Sequence, residues 1–268
     1  MYKLIAIDMD GTLLNGDKTI SEENYSAIQK AKKAGVKIVL ATGRPLNGIK
    51  KYLSHLNLIN EDDYAVTFGG AVVQNTQSEK FISRYLLGLT DWNYLFALSQ
   101  DLKVNIHTLT ENSCITPKVN KYSTKEVTIN NIPLIVDNPT NMKQNISFVK
   151  IMFIDEPEIL EEAIKKLPKD IFDKYTIVRS TPYFLEFLNI NANKGLAVET
   201  LAKSLNIKQE EVICIGDAGN DTHMVEYAGL GVAMENAFPE LKKIADFITL
   251  SNENHGVAHV IDKFIFNN

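Results

Sequence analysis

This sequence has almost no cysteine: Cys114 and Cys214 are the only two in 268 residues, and they stand far apart. So small a supply speaks against a disulfide framework or a cysteine zinc site, and each thiol is expected to serve as a small apolar filler. Histidine is scarce as well, and none groups with a cysteine at zinc-ligand spacing. Long hydrophobic runs are missing. No stretch approaches the roughly 18 apolar residues of a membrane span, and Asp8 and Asp10 interrupt the amino-terminal run that a secretion signal needs. A cytoplasmic location without a membrane partner is expected. Positive charge is not in excess either. The formal net charge is −5, and no dense Lys/Arg cluster interleaves with aromatics, which argues against a nucleic-acid partner. What is there is an ordinary globular balance, 45% hydrophobic and 23% charged, long enough for one large core or two smaller ones.

The most informative feature is the run Leu4-Ile5-Ala6-Ile7-Asp8-Met9-Asp10-Gly11-Thr12-Leu13. A short, continuous apolar run reads as a strand buried on both faces, so it delivers its two closing carboxylates to the carboxyl edge of a sheet. Open α/β sheets bind their ligands at that edge. Two close anions repel unless a cation sits between them or one holds a proton, and both remedies are equipment for phosphoryl chemistry.

The chain alternates strand and helix at both ends. Ser21 offers an N-cap, Glu22 and Glu23 suit a first helical turn, and Gly35 marks the stop. Val36–Leu40 reads as a second strand, residues 46–56 as a helix and Ala65–Phe68 as a third strand, so parallel pairing with right-handed crossovers is expected. Between about Phe81 and Leu188 the apolar runs shorten and Thr and Asn become frequent, which suggests an insertion with its own core. Helices are expected there at Asp91–Leu102 and Glu158–Leu167, the second carrying Glu161/Lys165 and Glu162/Lys166 as outward pairs. Strands are expected at Val104–Leu109, Phe148–Ile154, Tyr175–Arg179 and Phe184–Ile190. Alternation resumes with a helix from Lys194 and the strand Val212–Ile215, which ends in Gly216-Asp217-Ala218-Gly219-Asn220-Asp221. Short strands at Gly231–Met234 and Phe247–Leu250 flank a Pro239-initiated helix. Asp17, Asp62 and Asp63 read as solvated loop residues.

Four strand-end or helix-start segments can therefore meet at one sheet edge. Phosphoryl transfer needs an in-line nucleophile, a proton donor for the leaving oxygen and fixed positive charge around the equatorial oxygens. Asp8 is the candidate nucleophile. Asp10, two residues on and on the same strand face, is the candidate general acid and base. Magnesium prefers carboxylates, waters and substrate phosphate, and Asp8 with Asp217 supply the carboxylates. The Thr42 hydroxyl and Gly43 amide can donate to phosphoryl oxygens, Lys194 adds a point charge at a helix start, and Asn220 can orient phosphate or substrate. Asp221 suits a supporting place, holding metal-bound water or Lys194. Arg44 reads either as a substrate-entrance residue or as a structural ion pair. His107, Arg179 and Glu186, in the insertion, are candidate contacts for a leaving group, with ordinary surface or core roles as the alternative.

The segments Asp8-Met9-Asp10-Gly11-Thr12-Leu13, Leu40-Ala41-Thr42-Gly43-Arg44, Asn193-Lys194-Gly195 and Gly216-Asp217-Ala218-Gly219-Asn220-Asp221 resemble the four ordered motifs of the haloacid dehalogenase superfamily. The insertion resembles the type IIB α/β cap of its Cof-type sugar-phosphate phosphatases. The resemblance implies an α/β fold: a Rossmann-like, doubly wound parallel-sheet core at 1–83 and 189–268, with an inserted cap at 84–188 that closes over the site and selects substrate. It also implies that Asp10 ligates magnesium through its backbone carbonyl, and that the Met9 backbone joins Thr42, Gly43, Lys194 and Asn220 in holding phosphate. Phe68-Gly69-Gly70-Ala71 departs from the Asn-Gly-Ala common in Cof-like chains. The expected activity is hydrolysis of small phosphorylated metabolites. A phosphomutase would use the same covalent step, and a noncatalytic phospho-acceptor is a third reading, which a leaving-group acid beside the nucleophile disfavours.

Overall fold

The computed structural model describes residues 1–141 and 146–267. Two compact units divide the chain: Met1–Arg84 with Asn193–Asn268, and Tyr85–Ala192 between them.

The first unit opens with β1 (Leu4–Ile7), α1 (Glu22–Lys33), β2 (Lys37–Ala41), α2 (Leu46–His55), β3 (Tyr64–Thr67), β4 (Val72–Asn75) and β5 (Phe81–Arg84). The inserted unit follows with α3 (Leu89–Leu102), β6 (Asn105–Leu109), β7 (Cys114–Thr116), α4 (Lys121–Asn130), β8 (Leu134–Val136), β9 (Lys150–Ile154), α5 (Pro157–Lys165), β10 (Tyr175–Thr181) and β11 (Phe184–Asn189). The chain then returns to the first unit with α6 (Lys194–Ser204), β12 (Val212–Gly216), α7 (Thr222–Tyr227), β13 (Leu230–Ala233), α8 (Pro239–Ile244), β14 (Phe247–Ile248) and α9 (Gly256–Ile261).

In the first unit the sheet order is β14-β13-β12-β1-β2-β3-β4-β5, parallel from β14 to β3. β4 and β5 then add an antiparallel edge that the alternation of strand and helix does not predict. β1 lies inside, paired with β12 and β2, and all four of its residues are fully buried. Its side chains alternate between two cores, as a period of two requires. Ile5 and Ile7 pack with Ile38, Leu40, Ile213 and Ile215, whereas Leu4 and Ala6 pack with Val39, Ala41, Val212, Cys214 and the inner face of α6. The Ser21 hydroxyl caps α1 by accepting from the Asn24 N–H at 3.2 Å, and Asn193 caps α6 by accepting from the Leu196 N–H at 2.8 Å. The Asn193 cap starts α6 at Lys194.

The inserted unit is a six-stranded sheet, β10-β11-β9-β6-β7-β8, antiparallel except between β7 and β8. Ile106, Ile151, Phe153, Leu185 and Phe187 form one core with Trp92 and Leu95 of α3 and Leu160 of α5. The intervening residues, among them His107, Lys150, Met152 and Glu186, turn to the opposite face by strand alternation. The expected outward pairs on α5 are replaced: Lys165 pairs with Glu162, three residues earlier, while Glu161 pairs with Arg179 of β10. A cross-element guanidinium reaches Glu161 and so removes it from the helical ladder. Asp63 is also corrected, being buried with its Oδ2 accepting from Asn60 at 2.6 Å, whereas Asp17 and Asp62 are exposed as expected.

Candidate active site

The two-residue period of β1 decides where its carboxylates go. Asp8 continues the Leu4/Ala6 side, which faces α6. Lys194, the first residue of that helix, is fully buried, and its Nζ lies 2.5 Å from Asp8 Oδ1 and 2.6 Å from Asp221 Oδ1. The loop after β3 must come very close for this packing. Gly70 has φ +101°, and a Cβ there would lie 2.2 Å from the Asn193 carbonyl oxygen, so Gly70, which follows the departure at Gly69, serves close backbone packing against the start of α6.

Asp221 is fully engaged. Besides Lys194, its Oδ2 accepts from the backbone N–H groups of Asp217 and Ala218 at 3.0 Å each, which holds the loop after β12 in a tight turn. The Thr12 hydroxyl donates to Asp217 Oδ1 at 2.8 Å, tying that loop to the one after β1. Between them Gly11, with φ +94°, leaves space that a Cβ would fill at 2.4 Å from Asp217 Oδ2. Oxygens of Asp8, Asp217 and Asp221 lie within 4.8 Å of one another.

Three carboxylates thus share one ammonium. Burial pushes the Asp8 carboxyl well above the ordinary range, and the negative charges of Asp221 and Asp217 add to the effect against the pull of Lys194. Burial likewise raises Asp217, opposed by the Thr12 hydroxyl and assisted by Asp221. For Lys194 burial favours the neutral amine, but the charges of Asp221 and Asp8 outweigh it and keep the group cationic. This anionic surplus, presented as hard oxygens, fits a divalent cation. Asp8 and Asp217 are the suitable side chains, because each gives only one oxygen to the donors described, whereas donors already occupy both oxygens of Asp221.

Asp10 points into a different set of contacts. Arg44 grips it with two hydrogen bonds, Nε to Oδ2 at 2.9 Å and Nη2 to Oδ1 at 2.7 Å, and Lys18 Nζ adds a third at 2.9 Å. Burial would raise Asp10, but the hydrogen bonds from Arg44 and Lys18 prevail and hold it below the usual carboxylate range. Of the two sequence readings of Arg44, the ion pair is realised, and its partner is the expected acid/base. The guanidinium also lies 5.7 Å from the Tyr52 ring centre, and Tyr52 Oη donates to the Lys18 carbonyl, so α2 steadies both cations.

The other candidates are distributed as follows. Thr42 is buried, its Oγ1 accepting from the Arg44 N–H at 3.2 Å, so its own proton can be directed elsewhere. Nothing lies within 4 Å of the place a Gly43 Cβ would take. Met9 is buried, its carbonyl accepting from Leu14 N at 2.9 Å, and Asn220 is half-buried in the turn after β12. His107, Arg179 and Glu186 all belong to the inserted unit. His107 is buried, with Nε2 3.1 Å from Met152 Sδ and no hydrogen-bond partner for Nδ1 among the described residues. Glu186 accepts from Ser180 Oγ at 2.6 Å and pairs with Lys150 at 3.1 Å, while Arg179 is held by Glu161 and the Pro182 carbonyl. A cavity of about 380 Å³ in the same unit, between α3 and the β6–β7 region, includes none of these residues. Sequence reasoning missed Thr12 and Lys18. Thr12 carried a signal, lying two residues past Asp10, whereas Lys18 looks like any loop cation.

A family model described as haloacid dehalogenase-like hydrolase matches residues 5–261. YxeH of Bacillus subtilis (strain 168), a protein carrying a phosphatase name, is 47% identical over 267 residues, covering 99% of each chain. The crystal structure of a haloacid dehalogenase-like hydrolase from Bacteroides thetaiotaomicron superposes with a TM-score of 0.87 at 31% identity, covering 99% of this chain and 100% of that one. The subclass IIB sugar phosphatase BT4131 superposes with a TM-score of 0.80 at 25% identity, covering 98% of both chains.

Proposed function

Because this chain belongs to the haloacid dehalogenase-like hydrolases and acts on phosphate esters as a phosphatase, we propose that it hydrolyses small phosphorylated metabolites, sugar phosphates above all, through an aspartyl-phosphate on Asp8. The observation that carries the reading is the bonded chain Asp8–Lys194–Asp221–Asp217–Thr12, which joins three of the four expected segments.

In the first displacement an Asp8 carboxylate oxygen attacks phosphorus as the bond to the leaving oxygen breaks, and Asp10 gives that oxygen a proton. In the second, Asp10 takes a proton from water, the water oxygen bonds to phosphorus, and the Asp8–phosphorus link breaks to release inorganic phosphate. Lys194 offsets charge beside Asp8, while Thr42, Gly43, Asn220 and the Met9 backbone hold phosphoryl oxygens. A magnesium ion held by Asp8, Asp217 and the Asp10 backbone carbonyl would supply positive charge that lets an anionic nucleophile approach an anionic substrate. The grip of Arg44 and Lys18 leaves Asp10 in the base form that the second displacement uses. Protonating it for the first requires that grip to loosen, and substrate phosphate is a natural alternative partner for the Arg44 fork. Sugar phosphates are favoured by the likeness to BT4131, and the inserted unit is assigned the choice of leaving group.

Purified protein should release phosphate from sugar phosphates and from p-nitrophenyl phosphate with magnesium, and stop when the metal is chelated. Asp8→Asn should lower kcat by at least about 1,000-fold. A fully active Asp8→Asn enzyme would remove the assigned nucleophile, and activity indifferent to chelation would remove the metal.

A further inference from the structure

A surface segment between β13 and α8 touches both loops that carry the catalytic carboxylates. The Asn236 side chain, itself exposed, donates from Nδ2 to the Gly11 carbonyl at 2.8 Å, and its Oδ1 accepts from the Asn252 backbone N–H at 3.0 Å. Those two partners, a carbonyl and an N–H, leave one orientation for the amide. The segment bonds the other loop through its backbone, Met234 N to the Gly216 carbonyl at 3.0 Å and Phe238 N to the Asp217 carbonyl at 2.9 Å. Gly11 directly follows Asp10 at a left-handed φ and has no side chain of its own to restrain the turn. Rotating the peptide after Gly11 would move the preceding Asp10 and the following Thr12, which is bonded to Asp217. Glu253 Oε1 accepts from the Gly16 N–H farther along the same loop, whereas Asn252 Nδ2 reaches the Leu14 carbonyl, and Leu14 bridges back to Asp10.

We infer that Asn236 is a positioning residue for the general acid: its bond to the Gly11 carbonyl sets the turn that aims Asp10 at the leaving oxygen. This rests on the phosphatase reading above. The consequence depends on the leaving group. An alkoxide needs a proton to depart, while p-nitrophenolate departs without one, and kcat/KM reports only the steps up to that departure. Displacing the acid therefore weakens kcat/KM for an alkyl phosphate more than for the aryl ester.

The test compares Asn236→Ala, Asn236→Asp and Glu253→Ala with the wild type on glucose 6-phosphate and p-nitrophenyl phosphate, with thermal melting measured alongside. Asn236→Asp keeps the acceptor for the Asn252 N–H and turns a carboxylate oxygen, which repels, toward the Gly11 carbonyl in place of the donor, so it reports even where the alanine variant folds poorly. Both Asn236 variants should lower the ratio of sugar-phosphate to aryl-phosphate kcat/KM by about 10-fold or more, since a misplaced acid forfeits much of its roughly 100-fold contribution. Glu253→Ala should leave that ratio within about 2-fold of wild type. Equal losses on both substrates, no loss on either, or the same ratio change in Glu253→Ala would overturn the assignment. None of these results touches the Asp8 reading, which the aryl ester and Asp8→Asn test separately.

Discussion

Each unit buries a lysine between two carboxylates, and only one of these clusters has the makings of an active site. Lys194 lies between Asp8 and Asp221, while Lys150 lies between Glu186 at 3.1 Å and Glu126 at 3.6 Å. Both ammonium groups are pushed toward neutrality by burial and held charged by their acids. The surroundings differ. The first cluster stands at strand ends and helix starts and includes a third carboxylate, Asp217, whose bonds leave room for a cation. The second joins side chains from β9, β11 and α4 beside a buried, neutral His107. A buried ion pair is thus not itself a sign of chemistry. Surplus anionic charge at a sheet's carboxyl edge is the more telling feature.

Removing each lysine should separate the clusters most sharply. Either Lys194→Met or Lys150→Met strands two buried carboxylates and should cost about 3–5 kcal/mol of stability, measured by urea unfolding. Only Lys194→Met should also cut phosphate release from p-nitrophenyl phosphate, by about 100-fold or more under conditions where both variants remain folded. Equal activity in the two variants would erase the distinction drawn here.

Acid should act on the inserted unit in particular. Burial, with the Lys150 charge adding, lowers the His107 pKa from 6.5 to about 3. The unfolded chain accepts a proton below pH 6.5 that the native imidazole refuses, so stability falls as the pH drops from 6.5 toward 3. Between pH 6.5 and 5 the loss is about 2 kcal/mol. Trp92, the chain's single tryptophan, is buried in that unit's core and reports its unfolding by fluorescence. His107→Leu should flatten this pH dependence, and an unchanged slope would exclude His107 as its source.

The smallest expected effect concerns the cation. Magnesium at ten times its dissociation constant should raise the melting temperature by roughly 2–5 °C, and Asp217→Asn should abolish the shift. Glu126→Gln, in the other cluster, should keep it. A shift lost equally in both variants would mean that the ion does not choose the anion-rich cluster.

Much of this architecture was legible because its signals are local. The Leu4–Ile7 run ending on Asp8, the Ser21 cap with its acidic first turn, and Pro239 opening α8 each depend on neighbours within a few residues. The three-residue strands β7 and β8 and the antiparallel pair β4–β5 were not legible. They are too short or too irregular to carry a period, and partner strands hold them. The polar partners behaved similarly. Helical spacing predicts Glu161 with Lys165, but Arg179 from another strand takes it.

The order of the four segments, the strand that leads into Asp8, and the lysine that opens α6 follow from the sequence alone, because hydrophobic periodicity and capping act over a turn or a strand. The tertiary structure decided that Arg44 holds Asp10, that Asp221 is fully bonded while Asp217 keeps an oxygen for an ion, and that Asn236 braces Gly11. Those pairings span up to 225 residues of chain. Only the packing of sheet and helices brings such distant groups within hydrogen-bonding reach, so no local pattern encodes them.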